Sequence, residues 1–286
     1  MPVEVSRGAD ASIDLAEVAR RLGVHYMTAY RYVRMGRLPA VQRAGRWWVQ
    51  PEDLDTLRPG RTDPGQRRAH PQPQSRRRAL RARLLAGDEP GAWRIIEAQL
   101  FAGAEPATVL VEVVAAALRD IGDGWERGEL TVGDEHRATA VAVRLVGRLG
   151  AVSTRPGRRR GTVVLASAPY DSHALPGAIL ATVLRGAGYR VVELGGDTPA
   201  DAVGAAAAAV GAGLCAVGIS VGARERFDAV PGVATVVRDA APGTPVLIGG
   251  PAVTSATFAA ELGGDGWAAD GFGVVALLRD IAGGSA

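Results

Sequence analysis

The sequence is poor in several residues whose scarcity restricts what the chain can do. Cys215 is the one cysteine in 286 residues, which excludes an intramolecular disulfide and any multi-cysteine zinc or iron-sulfur site. With no secretory leader read at its start, the expectation is a cytoplasmic protein in a reducing compartment. Aromatic side chains make up only 5% of the chain, yet 47% of it is hydrophobic, enough for two or three modest cores and too much for general disorder. Long clean apolar runs are missing as well. The Ala/Val/Gly stretch at 202–219 is weakly hydrophobic and reads as helix, turn and strand rather than a membrane span. Lysine is absent, and all 33 basic residues are arginine.

The arginines that are present are unevenly placed. Residues 1–83 carry 17 Arg against 8 acidic residues, a balance of +9, whereas 84–286 carry 16 against 22, a balance of −6. A polyanionic partner therefore belongs to the front of the chain. Within residues 1–60, Ser12 or Asp14 caps a first helix with Leu15, Val18, Ala19 and Leu22 on one face, and Gly23 ends it. A second short helix runs from about Tyr26 to Met35. "VQRAGRWWV" then alternates into a hairpin around Ala44-Gly45, in which one of Trp47 and Trp48 faces the core and the other does not. Pro51 opens a last short helix carrying Leu54 and Leu57. Two short helices and an arginine-bearing hairpin read as a helix-turn-helix with a wing. His25, Tyr26, Thr28 and Arg31 are the positions that would meet base edges in a major groove, with Arg43 and Arg46 of the hairpin on phosphates or the minor groove.

Residues 61–78 form a Pro- and Arg-rich stretch with almost no large apolar side chains, read as an extended linker. Residues 79–152 then read as four helices with short joints, the simplest arrangement being an antiparallel bundle. From Gly161 the period changes. Strands "GTVVLASA", "YRVVELG", "LCAVGIS", "PVLIGG" and a short "WAAD" alternate with helices, so 161–286 should be a parallel sheet covered on both faces, with its ligand beyond the carboxyl ends of the strands. His173 sits just past the first strand, and Asp171 two residues earlier is placed to orient its imidazole. Trp125 stands at the end of the third helix, and Glu135-His136 begin the fourth.

These segments carry resemblances. Residues 12–58, through "LGV", "TAYRYVRMGRLPA" and "PEDLD", resemble the excisionase-like branch of the MerR superfamily, which implies duplex DNA bound by more than one copy. Asp171-x-His173, Ser220 and Gly249-Gly250 resemble cobalamin-binding domains of Rossmann-like fold, which implies His173 as the lower cobalt ligand and small residues beside the nucleotide tail. That pattern ends in glycine where this chain has Pro176, with Gly177 one place late. Trp125-x9-Glu135-His136 ahead of such a domain is similar to the CarH/LitR light-sensing transcription regulators. The similarity implies a bundle over the upper face of adenosylcobalamin, with Trp125, Glu135 and His136 at the adenosyl group. Where the best-matched members have a histidine after the tryptophan, this chain has Glu126, and a carboxylate suits cobalt less well than imidazole.

The expected protein is thus multidomain: a winged helix-turn-helix, a four-helix bundle and an α/β Rossmann-like cobalamin-binding domain. The expected function is a light-responsive transcription regulator, a repressor rather than an enzyme, that binds an operator and forms ligand-controlled homo-oligomers up to a dark tetramer. Three alternatives stay open: a light-independent cobalamin sensor, a sensor of a bilin or other tetrapyrrole, and a corrinoid protein of a methyltransferase system.

Overall fold

The computed structural model describes residues 12–24, 26–34, 38–43, 46–56, 73–153 and 159–284. The chain divides into two compact units, Met1–His70 and Pro71–Ala286.

In the first unit Asp14 accepts the Glu17 N–H at 2.9 Å and caps α1 (Leu15–Leu22), which Gly23 ends with a left-handed φ of 65°. Helix α2 follows (Tyr26–Arg34). Strands β2 (Val41–Arg43) and β3 (Arg46–Val49) form the hairpin, and the short β1 (Ile13–Asp14) joins β3 on its other side. Trp47 shares a face with buried Val49 and packs on a core of Leu15, Val18, Ala29, Val33, Leu38 and Leu54, while Trp48 lies on the opposite face of the strand. The last short helix, opened by Pro51, is present as a 3-10 helix over Pro51–Thr56. It is one short acidic stretch opened by the Asp53 N–H on the Gln50 carbonyl, too brief for a regular α-helical ladder. Leu57 lies outside the described residues.

The second unit starts earlier than the sequence suggests. Helix α3 runs Pro73–Leu85, so Arg76, Arg77 and Arg78 stand on a helix rather than in a linker. Proline needs no N–H partner in a first turn, and Arg77 is held by both oxygens of Asp120 from a distant helix. Then come α4 (Glu89–Phe101), capped by Asp88, and a third rod made of α5 (Pro106–Thr108), a π-helical stretch (Val109–Ala115) and α6 (Ala116–Glu126). Helix α7 (Val132–Ser153) completes a bundle of four rods around Leu80, Leu84, Ile96, Leu110, Ile121, Leu145 and Leu149. Each of those fully buried side chains stabilises the unit by roughly 1.5–3 kcal/mol.

The sheet comprises β4 (Thr162–Ser167), β5 (Arg190–Gly195), β6 (Leu214–Ser220) and β7 (Val246–Gly249), all parallel, in the order β5-β4-β6-β7. Helices α8 (Leu175–Gly186), α9 (Ala200–Val210), α10 (Val230–Ala240), α11 (Ala256–Glu261) and α12 (Gly271–Gly284) surround it. Strand residues alternate between two cores. Val163, Leu165, Ala216 and Leu247 face α8, α12 and the bundle, whereas Val164, Ala166, Val217, Ile219, Val246 and Ile248 face α9, α10 and α11. The first of these cores runs unbroken from the bundle into the sheet.

Three readings of this unit need correcting. "WAAD" is not a strand: the edge of β7 is met by Asp265 and Gly266, with only an isolated bridge at Leu247–Gly266. The Asp265 carboxylate accepts the Val246 N–H at 2.8 Å, and Trp267 turns away to donate its indole N–H to the Val253 carbonyl. The helix expected over "FDAVPGVATVVRDAA", from Phe227, is 3-10 over Arg224–Ala229, and α10 starts only at Val230, where Pro231 enters its first turn. Helix α11, capped by Ser255, was not expected.

Candidate functional site at the switch point of the sheet

The chain leaves β4 to one side for β5 and returns on the other for β6, so the crevice beyond β4 and β6 is a topological switch point. The β4 loop crosses it. Ala168 N–H donates to the Ser220 carbonyl at 2.9 Å, tying the two strand ends together. The Ser167 hydroxyl donates to the His173 carbonyl at 3.0 Å, and α8 then starts at Leu175 with Pro176 in its first turn.

Asp171 is 1% exposed. Its Oδ1 accepts from the His173 backbone N–H at 3.0 Å and lies 2.7 Å from His173 Nδ1, while its Oδ2 accepts the Gly222 N–H from beyond β6. A carboxylate only accepts, so Nδ1 carries the proton and Nε2 holds the lone pair. The His173 side chain is 56% exposed, which leaves Nε2 as the ring nitrogen open to a ligand. Burial pushes the Asp171 carboxyl up, but hydrogen bonds from the His173 ring, the Gly222 N–H and the His173 N–H outweigh it and hold the group below its ordinary value. The same hydrogen bond to Asp171 raises His173 against the effect of burial, and the charge of Glu135 on α7 raises it further. Glu135 is therefore in the electrostatic surroundings of His173.

Two further predicted residues meet in the same crevice. Ser220 and Gly249 are register partners at the ends of β6 and β7, and Ser220 Oγ is buried without a hydrogen-bond partner, the sole such side-chain atom among the described residues. A buried hydroxyl without a partner is a group awaiting one. A Cβ on Gly249 would meet nothing within 4 Å, so that side of the strand end is open. Gly250, at φ 101°, lies so close to Val221 that a Cβ would stand 2.5 Å from its backbone nitrogen. Gly177 also borders open space, so Pro176 leaves the position one residue later unfilled. The donor set fits a corrinoid: an oriented imidazole with a free Nε2, an orphaned buried hydroxyl, and glycine surfaces where a bulky group can approach backbone.

On the bundle, Trp125 lies in the last turn of α6 and is 47% exposed, unlike the apolar residues that fill the rods. Glu135 is half-buried and accepts from the Thr139 hydroxyl at 2.7 Å, and His136 beside it is exposed. The charge of Glu135 thus links α7 to His173. Glu126 is exposed. Sequence reasoning missed Gly222 as a partner of Asp171, for which a Val-Gly pair after a strand gives no distinguishing signal.

In the first unit Tyr26 is 47% exposed at the start of α2, and Arg43 and Arg46 face each other as exposed partners across the hairpin. His25 and the side chains of Thr28 and Arg31 lie outside the described residues. On α1 the Glu17 carboxyl, held to about 2 by hydrogen bonds from Arg20 and then Arg21, engages both guanidinium groups.

Comparison with known proteins agrees with this division. Residues 13–58 match the helix-turn-helix domain family, 76–149 one B12 binding domain family and 161–276 another. The chain is 34% identical over 189 residues to the HTH-type transcriptional repressor CarH of Myxococcus xanthus, covering 65% of this chain and 61% of that one. It is 29% identical over 118 residues to trimethylamine corrinoid protein 1 of Methanosarcina acetivorans, covering 39% of this chain and 53% of that one. The chain thus spans between about half and three fifths of these relatives' lengths. Among solved structures, the monomethylamine corrinoid protein of Methanosarcina barkeri superimposes with a TM-score of 0.59 at 18% identity, over 73% of this chain and 97% of that one, a likeness of fold. No helix among the described residues is long and apolar enough to cross a membrane.

Proposed function

We propose that this chain, which carries a helix-turn-helix domain and two B12 binding domains, is a cobalamin-binding transcription regulator. In this reading it works in the cytoplasm as a light-responsive repressor that uses adenosylcobalamin and binds an operator as a homo-oligomer. The observation that carries the reading is the crevice at the switch point, where the Asp171–His173 pair and the orphaned Ser220 hydroxyl converge.

When bound, adenosylcobalamin supplies a cobalt-carbon bond that light breaks. His173 would ligate the cobalt through Nε2, with Asp171 holding the ring and its Nδ1 proton in place. Ser220 would donate its hydroxyl to the ligand, and Gly249 and Gly250 would line the passage beside the backbone. Trp125, Glu135 and His136 would hold the adenosyl group from the bundle side. Loss of such a group would leave Trp125 without a packing partner, and the rods, which share one core with the sheet, would repack. His25, Tyr26, Thr28 and Arg31 would read bases, and Arg43 and Arg46 would neutralise phosphates. A single domain of this size makes few phosphate contacts, so tight binding would require several copies.

A second reading, a light-independent corrinoid or bilin sensor, is favoured by Glu126, which puts a carboxylate next to Trp125, and by Pro176. The third, a methyltransferase corrinoid protein, is favoured by the likeness to such proteins, but it leaves residues 13–58 without a role. Size exclusion and operator-shift measurements on adenosylcobalamin-loaded protein, before and after green light, test the choice. The switch predicts a larger, tighter-binding assembly in the dark. Unchanged mass and affinity despite spectroscopic photolysis would support the light-independent sensor.

A further inference from the structure

Among the described residues two non-glycines have positive φ, Tyr170 at 66° and Asp197 at 45°. They are hydrogen-bonded to each other beside the His173 loop. Ala168 to Asp171 form a turn closed by the Asp171 N–H on the Ala168 carbonyl at 3.0 Å. Proline second and positive φ third is the type II pattern, whose third position normally falls to glycine. Here it is Tyr170, and its backbone N–H donates to Asp197 Oδ1 at 2.5 Å. Asp197 in turn donates its own N–H to the Asp171 carbonyl at 2.6 Å. Gly196, the residue before it, sits so close to Ser172 that a Cβ would lie 2.8 Å from the Ser172 carbonyl oxygen.

The loop after β5 is thus fastened to Tyr170, Asp171 and Ser172, the three residues that lead into His173. This fastening lies beyond the last β4–β5 pairing at Ala166–Gly195, so the sheet does not require it. Strained backbone persists only where its surroundings hold it, and here the holding groups are one carboxylate and one N–H of a single exposed residue.

We propose that Asp197 is the positioning residue of the His173 loop, clamping Tyr170 and Asp171 so that the imidazole is presented in its ligating orientation. The proposal rests on the reading of His173 as the lower cobalt ligand. Asp171 orients the ring, and Asp197 fixes the backbone from which both Asp171 and His173 project.

The test compares full-length wild type with Asp197→Gly, Asp197→Asn and Tyr170→Gly. Glycine adopts the positive φ of Asp197 without strain, so Asp197→Gly removes the acceptor alone. Asparagine keeps an acceptor oxygen and also tolerates this φ, and Tyr170→Gly keeps the N–H. Two readouts are taken: amide exchange at 170–173 in corrinoid-free protein, and the fraction of histidine-coordinated cobalt after loading with hydroxocobalamin. Asp197→Gly should speed exchange about tenfold or more and lose most of the histidine-coordinated fraction, while Asp197→Asn and Tyr170→Gly stay near wild type. Wild-type behaviour of Asp197→Gly in both readouts, or equal impairment of Asp197→Asn, would overturn the proposal. If wild type itself shows no histidine-coordinated spectrum, the cofactor reading fails, and the exchange arm still decides whether Asp197 clamps the loop.

Discussion

The Nδ1 nitrogen of His173 lies 2.7 Å from the carboxylate of Asp171, a group only 1% exposed that is also fastened to the backbone of Gly222 across the crevice. One side of the imidazole is therefore fixed by the fold while the other is left to a ligand. The same pair should make the stability of the corrinoid-free protein depend on pH.

His173 is raised above its ordinary 6.5, so its contribution to stability is full below 6.5 and lost as pH rises through the raised value. Asp171 is lowered from 3.8, so its contribution is full above 3.8 and lost as pH falls through the lowered value. The pair stabilises most between these limits. The thermal midpoint of corrinoid-free protein should decline on the alkaline side of 6.5, and Asp171→Asn should flatten that decline. An equal slope in the variant would contradict the pairing.

Neighbouring glycines should separate folding from ligand binding. Gly250→Ala forces a Cβ against Val221 at a positive φ and should cost about 1–3 kcal/mol of stability. Gly249→Ala projects into open space and should leave the thermal midpoint unchanged while weakening cobalamin binding. Denaturant melts and spectroscopic titration of both variants check this, and equal destabilisation by the two would reject it.

Trp125 offers a similar contrast. As an exposed side chain it contributes little to the core, so Trp125→Ala should change stability by no more than about 0.5 kcal/mol. It should weaken adenosylcobalamin much more than hydroxocobalamin, as compared by calorimetry. A loss of several kcal/mol in stability would instead make Trp125 a core residue.

Much of this arrangement was legible in the residues. Continuous apolar runs such as Val163–Ala166 betrayed a parallel strand buried on both faces, and the helix break at Gly23 fell where the chain turns. Asp171 two residues before His173 already implied an oriented imidazole. The failures share a cause. The first turns of α3 have no apolar period and are held by Arg77 on Asp120, a partner 43 residues away. The short α11 buries only Ala259 and leaves almost no pattern. A positive φ at Tyr170 cannot be read from the residue, because Asp197, 27 residues on, supplies the bond that holds it.

For DNA, Arg31→Ala should relax operator preference by about 1–3 kcal/mol if the side chain makes a bidentate contact to guanine. Arg43→Ala and Arg46→Ala should weaken all duplexes alike and lower the salt slope. Gel shifts on operator and random duplexes at several salt concentrations distinguish these effects, and equal losses on both duplexes for Arg31→Ala would contradict the groove assignment.

The central claim is that His173 presents a free Nε2 to the cobalt of a bound cobalamin. It is tested most directly by the dark absorption spectrum of adenosylcobalamin-loaded protein, compared with that of His173→Ala. The account predicts a histidine-coordinated, base-off spectrum in wild type and its loss in the variant. A histidine-coordinated spectrum that survives in His173→Ala would contradict it.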